Sequence, residues 1–198
     1  MTQAPPRLIL GSTSRYRREL LARLQLPFEV HAPDVDETPL AGEAPAALAL
    51  RLALAKAHAV AARHPDAVII GSDQVADVDG VPVGKPGTHA RATEQLRAMR
   101  GKSVVFQTAV AVVCRARHHE NSVLVPVTVR FRQFSDAEIE RYLQLEQPYD
   151  CAGSAKAEGL GITLLSAIES DDPTALIGLP LIRTCELLRQ AGIDPLRA

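Results

Sequence analysis

The chain has 198 residues, and its 22 lysines and arginines nearly balance 23 aspartates and glutamates, which leaves a formal net charge of -1. Hydrophobic residues make up 46% of the chain, which excludes intrinsic disorder and is enough to bury the core of one domain. The charge balance argues against a protein that binds nucleic acid or anionic lipid, since both require an extended basic face.

The sequence also carries no signal for a membrane or for secretion. No apolar run approaches the ~20 residues that span a bilayer, and residues 1–10 lack the apolar segment of a signal peptide. Three widely spaced cysteines argue against both a disulfide framework and structural zinc. We therefore expect a cytoplasmic protein with neither a membrane nor a nucleic-acid partner, and a homodimer is the default assembly.

Short β-branched runs alternate with helical patterns along the chain, and this alternation predicts an α/β fold with a mixed sheet. The predicted strands cover residues 7–10, 28–31, 67–71, 74–83, 104–114, 123–131 and 162–165. The predicted helices cover residues 14–24, 46–63, 88–100, 135–146 and 180–191. Asp79 and Gly80 form the strongest hairpin-turn signal, and Ser135 with Glu138 forms a capping box. Because no linker interrupts these elements, we expect a single domain over residues 1–198.

The first strand-to-helix turn, residues 11–18, is rich in hydroxyls and arginines. Ligands of α/β sheets sit beyond the carboxyl ends of strands, and a helix N-terminus there offers free N–H groups to phosphate. Arg17 shares the apolar face of the helix and can point over the sheet end, whereas Arg15 is better placed for solvent. The turn therefore favours an anion site, and the alternative is a serine cap followed by a solvated basic turn.

Three acidic residues follow predicted strands. Asp73 comes directly after the buried run at residues 67–71, where a catalytic or metal-binding carboxylate belongs, although an aspartate also favours turns. Asp36 and Glu37 lie in the loop after the strand at residues 28–31. Oxygen ligands of this kind suit Mg²⁺ or Mn²⁺ bridging to substrate phosphates.

Lys56 interrupts an apolar row on the predicted helix at residues 46–63. The other members of the row are Leu48, Leu52 and Val60. Either the lysine extends its ammonium into water, or the ammonium lies beside carboxylates and phosphates.

Together these features predict a site that binds phosphate and a metal ion. Lys85, in a stiff Gly-Lys-Pro loop, is weak support for it alone. The candidate residues are Arg17, Lys56, Lys85, Glu37, Asp73 and Asp172.

A later segment, residues 149–161, is rich in small residues, and its glycines allow a ligand to approach the backbone closely. Glu158 could accept hydrogen bonds from a guanine-type edge or face a cationic base, or it could be a solvated loop carboxylate. Cys151 is poorly supported as a nucleophile, because no histidine or helix N-terminus is evident beside it.

These segments resemble the Maf family of nucleoside triphosphate pyrophosphatases. The matching strings are GSTSRYRRELL, VDET, LALAKA, IIGSDQV, GKP, DCAGSAKAEGLGI and GLPLI, which span nearly the whole chain in order. The resemblance implies a two-lobed Maf/ITPase-like fold, with an elongated mixed sheet flanked by helices and the active site in the cleft. It also implies hydrolysis of a nucleoside triphosphate between the α- and β-phosphates, with a divalent metal cation.

The resemblance also implies roles for single residues. Asp73 matches the family's proton acceptor, and Asp73 with Glu37 would hold the metal. Matches to the phosphate and metal motifs are Ser12, Arg17, Glu37, Lys56 and Lys85, and matches to the specificity positions are Tyr16, Gln74 and Glu158.

Three segments resemble those of the family branch that acts on 7-methyl-GTP. They are the string around Gln74, the segment containing Glu158 and the C-terminal residues. Two residues depart from the expected pattern: Tyr16 stands where this branch often has tryptophan, and Thr174 replaces a usual asparagine. The alternatives are a pyrophosphatase that prefers dTTP or UTP, a nucleotidyltransferase, and a non-catalytic nucleotide-binding regulator of cell division.

Overall fold

A computed structural model of the chain describes residues 6–197. Residues 1–5 lie outside the described part. They belong to residues 1–10, in which we expected no signal peptide. The strands are β1 (Leu8–Gly11), β2 (Glu29–His31), β3 (Val68–Val78), β4 (Val81–Val83), β5 (Ser103–Cys114), β6 (His119–Phe131) and β7 (Leu165–Glu169). The helices are α1 (Arg15–Ala22), α2 (Pro45–Ala61), α3 (His89–Met99), α4 (Asp136–Glu146) and α5 (Leu181–Gln190).

Within residues 6–197 the strands form one mixed sheet in the order β2-β1-β3-β5-β6-β7, and β4 pairs with β3 beside this path. The pairs β1–β2 and β1–β3 are parallel, and the remaining pairs are antiparallel. The predicted α/β fold, with an elongated mixed sheet flanked by helices, is confirmed. No helix of this part of the chain combines the length and the apolar character needed to cross a membrane.

The long strands β3, β5 and β6 run through separate hydrophobic clusters and so join two lobes. In one lobe α2 packs on one sheet face, and α1 with α5 packs on the other. In the other lobe α3 and α4 pack around Phe106 of β5. This arrangement leaves the middle of β3, at residues 73–75, between the two lobes.

Close packing of α2 on β3 depends on Gly71. A Cβ atom at this position would lie 2.2 Å from the carbonyl oxygen of Ala53 and 2.6 Å from the amide nitrogen of Ala57. Only glycine therefore allows the helix to come close enough to carry Lys56 over the strand.

Most predicted boundaries hold to within one or two residues. The hairpin turn at Asp79 and Gly80 is present, and both residues have the positive φ that such a turn requires. Thr88 caps α3, and Ser135 with Glu138 forms the predicted capping box at α4.

Three predicted boundaries are wrong. The strand predicted to begin at Val123 begins at His119, because the polar residues 119–122 also pair with β5. The strand predicted to end at Gly71 continues to Val78, because β5 and β4 supply hydrogen-bonding partners along its whole length. Asp73 therefore lies inside the strand, opposite Ala109, instead of just beyond its end. Residues predicted as the last strand mostly form a 3₁₀ turn, Leu160–Leu164, and β7 begins only where Leu165 reaches its partner Phe131.

Candidate active site

A pocket of about 370 Å³ opens over the middle of β3. Of the nine residues to which the family resemblance gives roles, seven line it, namely Tyr16, Arg17, Glu37, Asp73, Gln74, Lys85 and Glu158. The other two lie behind the wall: Lys56 is 5% exposed and Ser12 is 3% exposed. The pocket thus brings together the segments that the sequence singled out from both halves of the chain.

The two carboxylates at the floor of the pocket, Glu37 and Asp73, are ion-paired with Lys56 behind them. The ammonium of Lys56 lies 2.6 Å from Asp73 Oδ1 and 2.6 Å from Glu37 Oε1. The side chains of Lys56 and Asp73 are almost fully buried, whereas that of Glu37 is half exposed. The alternative in which the ammonium extends into water is therefore wrong.

The charge of Glu37 is stabilised by its neighbours. Partial burial alone would raise the pKa of this carboxyl, but the hydrogen bond from Lys56 and the charges of Lys56, Lys85 and Arg17 outweigh it. The pKa therefore lies below its ordinary value, and the carboxylate is ionised at neutral pH.

Arg17 reaches the pocket from the first turn of α1. Ser14 caps this helix by accepting from the backbone N–H of Arg17, and Ser12 accepts in turn from the N–H of Ser14. The guanidinium donates from Nε to the carbonyl oxygen of Gly178 at 2.8 Å, which holds the side chain over the sheet. Burial lowers the pKa of Arg17, and Asp73 and Glu37 oppose that shift. As predicted, Arg15 is exposed instead.

The other end of the pocket has an aromatic ring and two carboxylates. The hydroxyl of Tyr16 lies 3.4 Å from Asp150 Oδ1, and the Arg15 guanidinium lies 4.7 Å from the ring centroid. Glu158 stands at the rim, where the loss of surrounding water raises the pKa of its carboxyl. Burial raises the pKa of the Cys151 thiol to about 12, so this thiol stays protonated at neutral pH, which disfavours it as a nucleophile.

Gln74 joins β3 to the segment before α5. Its Nε2 atom lies 2.9 Å from Thr108 Oγ1 and 3.0 Å from the carbonyl oxygens of both Ala175 and Leu176. The buried hydroxyl of Ser72 lies 3.0 Å from the carbonyl oxygen of Gly178. These contacts fix the pocket wall formed by residues 176–178.

Asp172, which the sequence suggested as a third site carboxylate, does not line the pocket. It is 1% exposed and accepts hydrogen bonds from the backbone N–H groups of Ile182 and Arg183 at the start of α5. It also accepts from the hydroxyl of Thr174. The carboxylate therefore satisfies the free N–H groups of a helix N-terminus.

Sequence reasoning gave no individual role to three contributors to the pocket, although two of them lie in segments predicted to approach a ligand. Asp150 and Ser14 line it, and Thr108 anchors its wall through the carbonyl oxygen of Ala175. The detectable signal for Thr108 was its place beside Gln107, where the two form a polar step between the apolar halves of β5. No pattern distinguished Asp150 from an ordinary loop aspartate.

The described residues contain no group of three or more His, Cys, Asp or Glu side chains arranged to hold a metal ion. Glu37 and Asp73 provide two carboxylates at the pocket floor. Mg²⁺ is commonly held by one or two carboxylates together with substrate phosphates and water. The donor set therefore fits a metal that enters with a phosphorylated ligand, and does not form a complete protein cage.

Comparison with known proteins agrees with the resemblance seen in the sequence. Residues 7–191 match the family described as Maf-like protein. A 7-methyl-GTP pyrophosphatase of Polaromonas sp. is 69% identical over 186 residues, which cover 94% of this chain and 85% of that protein. The 7-methyl-GTP pyrophosphatase of Albidiferax ferrireducens is 66% identical over 192 residues, covering 97% of this chain and 96% of its own.

Proposed function

The chain belongs to the Maf family, and we propose that it is a nucleoside triphosphate pyrophosphatase that hydrolyses 7-methyl-GTP to the nucleoside monophosphate and pyrophosphate. The observation that carries this proposal is one pocket with a cationic, carboxylate-bearing floor and an aromatic, acidic rim. The similarity of nearly the whole chain to proteins named for this activity supports 7-methyl-GTP as the substrate.

The floor suits the triphosphate. Charge builds on the leaving pyrophosphate during hydrolysis, so positive groups must be in place beforehand. Arg17 and Lys85 line the pocket and can contact phosphate oxygens directly. Lys56 does not line the pocket but holds Asp73 and Glu37 in fixed positions.

We assign Asp73 the role of orienting the attacking water and accepting its proton. Its Oδ1 atom is bonded to Lys56, so that side chain has a fixed orientation in which Oδ2 can accept a proton from water. The alternative is that Asp73 is a metal ligand, and both roles require the same ionised carboxylate.

A divalent cation held by Glu37, Asp73 and the substrate phosphates is part of the proposal. Such a cation would withdraw charge from the phosphoryl oxygens and lower the pKa of a bound water. The residues of this chain orient the triphosphate and the water around it.

The rim suits a methylated guanine. The 7-methyl group leaves a positive charge on the base, which favours an aromatic face and a nearby carboxylate. Tyr16 offers the ring, and Glu158 and Asp150 offer carboxylates at the same end of the pocket. A neutral pyrimidine base would gain less from these groups.

The test is a substrate panel of canonical and modified nucleoside triphosphates, scored by pyrophosphate release with Mg²⁺, Mn²⁺ or no metal. We expect metal-dependent release from 7-methyl-GTP above all other substrates, without any acceptor. Asp73→Asn should abolish turnover and keep nucleotide binding. Absence of turnover with every nucleotide would favour a non-catalytic regulator, and preference for dTTP or UTP would overturn the assigned substrate.

We further propose that the enzyme works in the cytoplasm as a homodimer. Its three cysteines are free thiols, which suits a reducing compartment. Two-fold homodimers are the commonest assemblies of soluble enzymes. Light scattering at several protein concentrations would measure the assembly.

A further inference from the structure

The loop between β2 and α2, residues 32–44, carries Glu37 but has little apolar packing to hold it in place. Most of its side chains are exposed, and Leu40 keeps 60% of its surface in contact with solvent. A loop without a buried core depends on polar contacts for its conformation. The position of Glu37 beside Lys56 therefore requires some other anchor.

Arg51 and Glu43 provide that anchor. The Arg51 guanidinium makes a two-pronged contact with Glu43, Nε to Oε1 at 2.6 Å and Nη2 to Oε2 at 2.8 Å. The side chain of Glu43 is only 8% exposed. Bidentate pairs of this kind fix geometry better than single contacts do.

Both members of the pair also bond to the loop backbone. Arg51 Nη2 donates to the carbonyl oxygen of Thr38 at 3.1 Å, and Glu43 Oε2 accepts from the N–H of Leu40 at 2.9 Å. The backbone one residue beyond Glu37 is thus bonded to α2 through Arg51, while the side chain of Glu37 is bonded to the same helix through Lys56. The two contacts together hold Glu37 and the residue after it against α2.

We propose that the Arg51–Glu43 pair is a positioning device that aims the Glu37 carboxylate at the pocket floor. Neither residue lines the pocket, so they act through Glu37 instead of touching the substrate. Outer contacts that orient a metal-binding or phosphate-binding group typically change affinity or activity by about 10- to 100-fold when removed. This inference rests on the proposed function of the pocket.

The test compares Arg51→Gln with wild type and with Arg97→Gln, a matched control on α3 whose arginine pairs with Asp136 in the other lobe. We expect Arg51→Gln to lower kcat/KM about tenfold and to raise the Mn²⁺ concentration for half-maximal activity several-fold. Arg97→Gln should change neither quantity. Arg51→Lys, which keeps the charge without the planar fork, should fall between wild type and Arg51→Gln.

A double-variant cycle separates positioning from general structural damage. If Arg51 acts through Glu37, then Arg51→Gln should cost less than about twofold in a Glu37→Gln background, because the aimed group is already gone. An equal fold-loss in both backgrounds would overturn the proposal. Melting temperatures of all variants show whether the fold persists at the assay temperature, and a lower value is expected for Arg51→Gln because the substitution breaks the ion pair with Glu43.

A measurement without catalysis distinguishes this inference from the proposed function. The protease Glu-C cuts after glutamate, and we expect Arg51→Gln to speed cleavage after Glu37 while Arg97→Gln leaves it unchanged. Unchanged cleavage would overturn the anchor even if the enzyme is active. Faster cleavage in a protein that hydrolyses no nucleotide would support the anchor and reject the proposed function.

Discussion

Lys56 Nζ donates to Asp73 Oδ1 across 2.6 Å, from a helix to the middle of a strand, and both side chains are almost fully buried. A buried charge is tolerated when it is paired, and removing one partner leaves the other uncompensated. Glu37 adds a second carboxylate to the same ammonium. The group therefore contributes to folding as well as to the proposed chemistry.

We predict that Lys56→Met will destabilise the protein by about 3 kcal/mol, because Asp73 would then be a buried carboxylate without its ion-pair partner. The double variant Lys56→Met with Asp73→Asn should recover part of this loss, since the orphaned charge is removed. Urea unfolding of the three proteins measures the difference. A double variant that is less stable than Lys56→Met would contradict this explanation. Turnover should be lost in both variants.

Glu158→Gln should reduce the preference for 7-methyl-GTP over UTP. The substitution keeps the shape of the side chain and removes the negative charge that would face a cationic base. The measurement is the ratio of kcat/KM for the two substrates, which we expect to fall about tenfold. This corresponds to a loss of about 1.4 kcal/mol in the free energy that distinguishes the two substrates. An unchanged ratio would remove Glu158 from the assigned role.

Glu146 on α4 should influence the same ratio without touching the substrate. Its carboxylate accepts from the N–H of Leu160 at 2.7 Å and pairs with Lys156, so it bonds the chain on both sides of Glu158. We predict that Glu146→Gln will lower the substrate preference several-fold while turnover of UTP changes less. The matched control is Glu140→Gln, on the same helix but paired with His89 away from the pocket. Equal effects of the two substitutions would indicate a general disturbance of α4.

The sequence predicted the site better than it predicted the path of the chain through it. The apolar run before Gly71 ended the predicted strand because the residues that follow are polar. In the structure each of these polar side chains has a partner, Ser72 and Gln74 on the segment before α5 and Asp73 on Lys56, so the strand continues. Such partners lie 17 to 106 residues away in the chain and leave no local pattern.

The misplacement of Asp172 has the same origin. A carboxylate in a loop can bind a cation or cap a helix, and the local sequence is compatible with both. The choice depends on where α5 begins relative to the loop, and the N–H groups of Ile182 and Arg183 lie ten and eleven residues further on. The sequence signals for Arg51 and Glu43 were weaker, since Arg51 interrupts only a row of alanines, at positions 47, 55 and 59, and Glu43 lies in a loop.

The ion pair of Glu43 with Arg51 predicts a specific dependence of stability on pH. Hydrogen bonds from Arg51 and from the N–H of Leu40 lower the pKa of Glu43 from 4.5 to about 2. Because the folded-state pKa lies below the unfolded one, the unfolded chain binds more protons between these values, and stability rises with pH there. The contribution of Glu43 is therefore fully present above about pH 5 and is lost as the pH falls towards 2.

We predict that the difference in unfolding free energy between wild type and Glu43→Gln is largest above pH 5 and shrinks steadily on acidification. Urea unfolding at half-unit intervals from pH 6 to pH 3 measures it. Glu138 also has a pKa near 2, owing to its capping box and Arg132, so wild type keeps an acid transition that Glu43→Gln alone does not remove. The informative quantity is the difference between the two proteins. A difference that stays constant across this range would show that Glu43 does not carry the lowered pKa.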